Sequence, residues 1–231
     1  MKTKILLLLL LTLSFNLTSK DFSDIRPTKA TLTMDGGNME VWMIKKEGNI
    51  WEMKSHVDGG RMFERKEISI FELNKDDLIP LENRIEMRIL FKKIKARSTF
   101  DWLEKKIFFE EGKDKGSIAL IEGTLGPATI QLKMRLDLRN LNLGSLPKKI
   151  NYLVYFRGEI KQRTYKIEES ENIKTPMGEY RTIKLSRQFH GENKKEQIYW
   201  FAPELDFSIV RILNIDKRSS DLTLQSFEFI D

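Results

Sequence analysis

The chain has 231 residues, 40 of them Lys or Arg and 34 Asp or Glu, for a formal net charge of +6. It contains no cysteine, which excludes disulfides, cysteine-based zinc sites, thiol nucleophiles and a lipoprotein anchor acylated on cysteine. Charges of both signs are interspersed, a balance that favours solubility and is compatible with contact to anionic lipid surfaces.

The N-terminus has the three parts of a cleavable secretory signal peptide. Lys2 and Lys4 supply the positive start, residues 5–13 are an apolar run that is mostly leucine, and Thr18 and Ser19 end a more polar stretch. The apolar run is shorter than the ~20 residues a spanning helix needs, and no second such run follows. Residues 1–19 are therefore expected to be a signal peptide removed before Lys20, leaving a net charge of +4. A leucine-rich leader on a cysteine-free chain points to bacterial export and a soluble periplasmic protein, because secreted eukaryotic domains of this size more often carry disulfides.

Residues 20–28 form a loose lead-in, after which period-two alternation dominates. Trp51, Met53 and Val57 share one face of an expected strand, with Glu52 and Lys54 opposite. Ile85, Met87, Ile89 and Phe91 alternate with Arg84, Glu86 and Arg88. Ile150, Tyr152, Val154 and Phe156 repeat the pattern, as do Ile183 and Leu185 against Thr182, Lys184 and Ser186. Such strands place one face on a core and one in water, as in antiparallel sheets. Glycine-bearing turns punctuate them at Asp35-Gly36-Gly37, Glu47-Gly48-Asn49, Asp58-Gly59-Gly60, Glu111-Gly112-Lys113 and Met177-Gly178. Alternation and turn spacing predict roughly eleven strands between residues 29 and 230.

Residues 127–141 send two messages. Ile130, Leu132, Met134, Leu136 and Leu138 alternate like a strand, yet the segment is rich in strong helix formers. Pro127 suits a first helical position and Gly144 follows the end. Periodicity favours a strand and propensity makes a helix nearly as good a reading. No linker or repeat divides residues 20–231, so the expected fold is mainly β, a single domain of antiparallel sheet curled into a partly open barrel or roll. Charged residues in mid-strand, such as Arg84, Glu86 and Arg88, argue against an outer-membrane barrel, whose outward band is apolar.

Two segments carry a resemblance. One is Gln131-Leu132-Lys133-Met134-Arg135-Leu136-Asp137-Leu138. The other begins Glu171-Asn172-Ile173-Lys174-Thr175-Pro176-Met177-Gly178 and leads through Lys184-Leu185-Ser186-Arg187 to Trp200-Phe201-Ala202-Pro203 and Val210-Arg211-Ile212. In this order and spacing they resemble the domain of unknown function 3108 family of exported bacterial proteins, over the chain from about residue 58 to the end. The resemblance implies a mainly antiparallel β architecture with 127–141 helical, and it implies no activity. Turn chemistry gives the motif residues Arg135, Asp137, Thr175, Pro176, Gly178, Trp200, Pro203 and Arg211 a structural reading: Pro176 fixes φ in a hairpin turn, Gly178 takes a left-handed position, and Pro203 ends a strand because it has no N–H to donate.

Chemistry-bearing groups are sparse. The two histidines, His56 at an expected strand end and His190 in a loop, lack metal-ligand spacing. The acidic runs Asp76-Asp77, Glu110-Glu111 and Glu168-Glu169 with Glu171 read as solvated loops rather than the facing pair of a glycosidase. No nucleophile elbow, phosphate loop or dinucleotide fingerprint occurs. The expectation is a non-enzyme without metal or cofactor. Lys92, Lys93, Lys95 and Arg97 form the densest basic run, between two expected strands; a solvated hairpin is its plainest reading and an anionic lipid or acidic partner its functional one, with nucleic acid excluded by export. The favoured function is binding of an apolar or lipid-like ligand in a cavity lined by some of Trp51, Trp102, Tyr152 and Trp200. The alternatives are an envelope-assembly protein docking through a sheet edge or the basic run, and an enzyme acting on envelope polymers.

Overall fold

The computed structural model describes residues 22–141, 146–188, 195–215 and 220–230. The leader with its cleavage site, His190 and Gly144 lie outside them. Among the described residues, fifteen strands make one sheet, more than the eleven expected. The first half is a meander: β1 (Thr28–Met34), β2 (Gly37–Lys45), β3 (Ile50–Gly59), β4 (Phe63–Leu73), β5 (Leu78–Ile89), β6 (Lys92–Asp101), β7 (Lys106–Glu111) and β8 (Asp114–Ala119). A short β9 (Thr124–Leu125) leads into the helix α1 (Thr129–Asn140). The second half comprises β10 (Lys149–Phe156), β11 (Glu159–Thr175), β12 (Gly178–Gln188), β13 (Lys195–Ala202), β14 (Ser208–Asn214) and β15 (Leu222–Phe229).

The order runs from β8 back to β1, across to β15, then back to β9. Every pairing is antiparallel except β9 with β10. The β1–β15 pairing, Thr28↔Phe229 to Thr33↔Thr223 with a bulge after Thr31, joins the two halves. The hydrogen-bonded row ends at β8 and β9, and β9 comes close to β5 as the sheet curls. The result is the partly open roll that the alternation predicts.

The helix is what the sheet curls around. Ile130, Leu132, Met134, Leu136 and Leu138 are buried and share a core with Trp51, Phe71 and Leu78 from one half of the sheet and Tyr152, Tyr165, Leu185 and Phe201 from the other. No residue of α1 is exposed. A helix enclosed on all sides needs no 3.6-residue stripe, which explains how strand-like alternation coexists with helical structure. Pro127 precedes the helix rather than opening it; the residue before the first turn is Ala128.

Several faces differ from the simple in–out pattern. Ile89 and Phe91 are exposed, Phe91 completely, because the end of β5 projects past the helix. Phe156 is exposed while its neighbour Tyr155 is buried with Phe100 and Ile107. Thr182 and Ser186 are buried beside Ile183 and Leu185, so β12 is covered on both faces. The cover is the β11–β12 hairpin itself. A register shift between Glu168 and Glu171 bends it, β11 then reaches β14 and β15, and Ile173 and Tyr180 pack with Trp200, Ala202 and Val210. The 168–171 acids therefore lie within a strand rather than a loop. His56 likewise lies inside β3, opposite Lys66 of β4.

Candidate functional site

The second half of the chain carries an internal polar network. Asp206 follows the short 3-10 turn Pro203–Leu205. It and Phe207 have φ of 53° and 57°, a left-handed pair of non-glycine residues. Such strain persists only where surrounding contacts over-determine it. Here α1 supplies them: Arg135 Nε donates to the Asp206 carbonyl oxygen at 2.8 Å and Nη2 to Oδ2 at 2.7 Å. Arg139 Nε sits 2.9 Å from Asp206 Oδ1 as an ion pair without hydrogen-bond alignment. Burial pushes the Arg135 guanidinium below its usual range, and Asp206 opposes that shift. On another side of the helix, Asp137 pairs with Lys133 and accepts from Tyr152 Oη at 2.8 Å. Burial, and then the Asp137 charge, raises the Tyr152 phenol and keeps it a donor.

The motif residues thus divide among structural tasks. Arg135 and Pro203 belong to the join between α1 and the 203–207 turn, and Asp137 ties α1 to Tyr152 of β10. Trp200 Nε1 donates to Glu171 Oε1 at 2.7 Å, Lys184 Nζ pairs with the same oxygen at 2.8 Å, and Arg211 stands 5.3 Å from the Trp200 ring centroid. Lys184, and then Trp200, hold the Glu171 carboxyl below the usual range. These contacts fasten the bent hairpin. Pro176 and Met177 are its two turn residues; Thr175 Oγ1 donates to the Gly178 carbonyl at 3.1 Å. Gly178 is the first residue of β12 and has a φ of 142°, a positive value that L side chains rarely adopt.

The four aromatic residues expected at one cavity are dispersed. Trp51 and Tyr152 lie in the central core, Trp200 under the folded hairpin, and Trp102 beside Phe100 and Tyr155, its Nε1 donating to the Pro80 carbonyl at 2.7 Å. An apolar cleft exists elsewhere. β14 and β15 pair only through Arg211↔Thr223 and Ile212↔Leu222, while β15 continues along β1 to Phe229. Where the two strands part, a cleft of about 100 Å³ opens onto the helix. Its walls are Ala30 of β1, Val41 and Met43 of β2, Met53 of β3, Ile209 of β14 and Phe227 of β15, and Leu132 and Arg135 of α1 reach it. Ser208, also in its wall, is buried and its hydroxyl has no hydrogen-bond partner among the described residues. An unpaired buried hydroxyl costs about 1–3 kcal/mol, so a polar atom offered by a ligand at that point is favoured. Nothing in the sequence marks Ser208. The one usable signal is its place after the Trp-Phe-Ala-Pro segment, where the strained turn re-aims the chain.

The basic run is a strand, β6, not a hairpin. Lys95 Nζ pairs with Glu86 at 2.8 Å and Arg97 with Glu82; Glu86 raises the Lys95 ammonium and is itself held down by it. Lys92 and Lys93 are exposed. Of the histidines, His56 Nε2 lies 3.1 Å from Glu64 Oε1 in a surface cluster with Lys66 and Arg88. Lys66, and then His56, hold the Glu64 carboxyl down at about 2. A depressed carboxyl favours folding above its unfolded value, and that contribution is lost as pH falls through about 2. Carbon-detected NMR at about pH 3.5, below the reference carboxylate range, is expected to find Glu64 still ionised. In Lys66→Gln the same carboxyl should be substantially protonated; an unchanged signal would remove Lys66 as the cause.

A mainly β sheet curled about a buried helix, with an apolar opening in its wall, defines a class of barrel-like proteins. The chain belongs to the family described as Protein of unknown function (DUF3108), which matches residues 24–217. A solved structure described as a beta-barrel-like protein of domain of unknown function DUF1849, from Brucella abortus, superposes with a TM-score of 0.55 at 11% identity. The alignment covers 90% of this chain and 99% of that one, a likeness of fold. No curated protein matches the chain. Among the described residues, no helix is long and apolar enough to cross a membrane.

Proposed function

We propose that this is an exported, periplasmic, non-catalytic protein that binds an apolar or lipid-like ligand in the cleft between β14 and β15. The carrying observation is a mainly apolar cleft whose wall includes Ser208, a residue with an unpaired buried hydroxyl. An apolar chain end would lie on Ala30, Val41, Ile209 and Phe227, with an ester or hydroxyl oxygen at Ser208 Oγ. The volume of about 100 Å³ is below the ~150 Å³ of an engineered cavity that holds benzene, so a rigid cleft admits only a few carbons. Met39, Met43 and Met53 line it, and methionine adapts its shape more readily than branched side chains. Docking of a partner through Lys95 and Arg97 has less support, since both are already paired within the chain.

Native mass spectrometry of protein purified from a bacterial periplasm without detergent tests both location and ligand. The expected result is a chain lacking residues 1–19 with a bound mass in the lipid range. Ala30→Phe fills the cleft from β1 and is expected to weaken binding of a fluorescent fatty acid at least tenfold, about 1.4 kcal/mol. Equal binding by the variant would place the ligand elsewhere, and no binding by either protein would end the proposal.

A further inference from the structure

We propose that the end of the roll carrying the 60–62 and 90–91 turns docks onto an anionic phospholipid bilayer, with Leu90, Phe91 and Met62 entering the interface and Arg61, Lys92 and Lys93 meeting lipid phosphates. This inference is independent of the cleft. Its starting point is a turn with the wrong residues. β5 ends at Ile89 and β6 begins at Lys92, so Leu90-Phe91 is a two-residue hairpin loop. Loops of this length need positive φ and favour Asn, Asp and Gly. Here Leu90 holds φ at 54° and Phe91 is wholly in solvent. With positive φ only at the first loop residue, local stability would be better served by Gly-Asn. The apolar pair is therefore retained for what it touches outside the chain.

The neighbouring turn adds to the same patch. Met62 is 63% exposed, and its carbonyl accepts from Leu90 N–H at 2.9 Å. Arg88 Nη1 donates to the Arg61 carbonyl at 3.1 Å and Nη2 to that of Gly60 at 3.3 Å. Two hairpins are thereby tied into one platform whose apolar tip is presented together. Its carboxylates are occupied: Asp58 accepts from Gly60 N–H, and Glu64 is shared by Arg88, Lys66 and His56. Arg61, Lys92 and Lys93 are exposed and make no ion pair among the described residues. Apolar side chains at the tip with unpaired cations behind them match the layered chemistry of a bilayer, acyl chains below and phosphates above. An acidic protein would meet the cations but offers no layer for a fully exposed Phe. Met87 and Ile94, close behind the turn, line a recess of about 260 Å³, so docking brings the open end of the roll to the lipid.

Cosedimentation of the exported protein with vesicles decides the matter. Binding is expected to vesicles containing phosphatidylglycerol, to be at least tenfold weaker to pure phosphatidylcholine, and to fall with added salt. Leu90→Gly/Phe91→Asn puts glycine at the positive-φ position, so it should lose binding at least tenfold with an unchanged or raised Tm. Lys92→Glu/Lys93→Glu should lose binding comparably. A wild-type protein that ignores anionic vesicles overturns the proposal. So does a turn variant that binds like wild type, or one whose Tm drops, which would give Leu90 and Phe91 a structural role. Fatty-acid binding by the Ala30→Phe variant is read separately, so the two proposals fail independently.

Discussion

Asp206→Ala is expected to lower stability by about 3–5 kcal/mol, the range for removing one partner of a buried ion pair. The carboxylate faces two guanidiniums, and the Arg135 and Arg139 side chains are each only 9% exposed. Truncation leaves both largely buried guanidiniums without a carboxylate, although Arg135 keeps its bond to the residue 206 carbonyl. The backbone adds to the effect. Asp and Asn tolerate the left-handed region better than Ala, and residue 206 has φ of 53°. Asp206→Asn separates these causes: it keeps the backbone preference and an acceptor for Arg135 but removes the charge. Its loss should fall between wild type and Asp206→Ala in urea denaturation. Arg135→Met should be milder than Asp206→Ala, because Asp206 retains Arg139. If Asp206→Ala lies within about 1 kcal/mol of wild type, in the range of an exposed pair, the network is not what holds the turn.

That network shows how far the sequence could be read. Alternation found the strands wherever one face meets the helix and the other meets water, as in β3. It under-counted where this contrast fails: β8 is almost wholly exposed and β9 has two residues. It assigned Ile89 and Phe91 to the core because periodicity carries no information about where the helix stops. It missed the double burial of Thr182 and Ser186, because the cover comes from the bend at Glu168–Glu171, a register shift with no signature of its own. The motif segments around Arg135 and Trp200 were legible as structural, but that Arg135 reaches the residue three places after Pro203 depends on the curl. The expected aromatic cavity dispersed for the same reason: Trp51, Tyr152 and Trp200 lie on strands and Trp102 in the turn after β6, and strand periodicity does not say which of three cores each element faces. The cleft depends on β14 and β15 parting after two residue pairs, a property of pairing rather than composition.

Leu136→Ala is expected to cost about 2–5 kcal/mol, the range for a buried leucine truncated in a core that cannot fully collapse. The upper part of that range is favoured here. Leu136 is fully buried, and α1 belongs to the core shared by β3–β5 on one side and β10–β14 on the other. A void beside it can close only if one half of the sheet moves toward the helix. The open row from β8 to β9 resists this weakly at its edges but strongly at the centre, where β1 and β15 join the halves. Leu103→Ala is the matched control: the same atoms are removed from a side chain 96% exposed, and the change should stay within about 0.5 kcal/mol. Urea titrations of both variants, with slopes equal to wild type, would report stability alone. A Leu136→Ala slope well below wild type would mean that the roll loosens around the shortened side chain. A loss as small as that of Leu103→Ala would show that the two halves hold together without the helix between them.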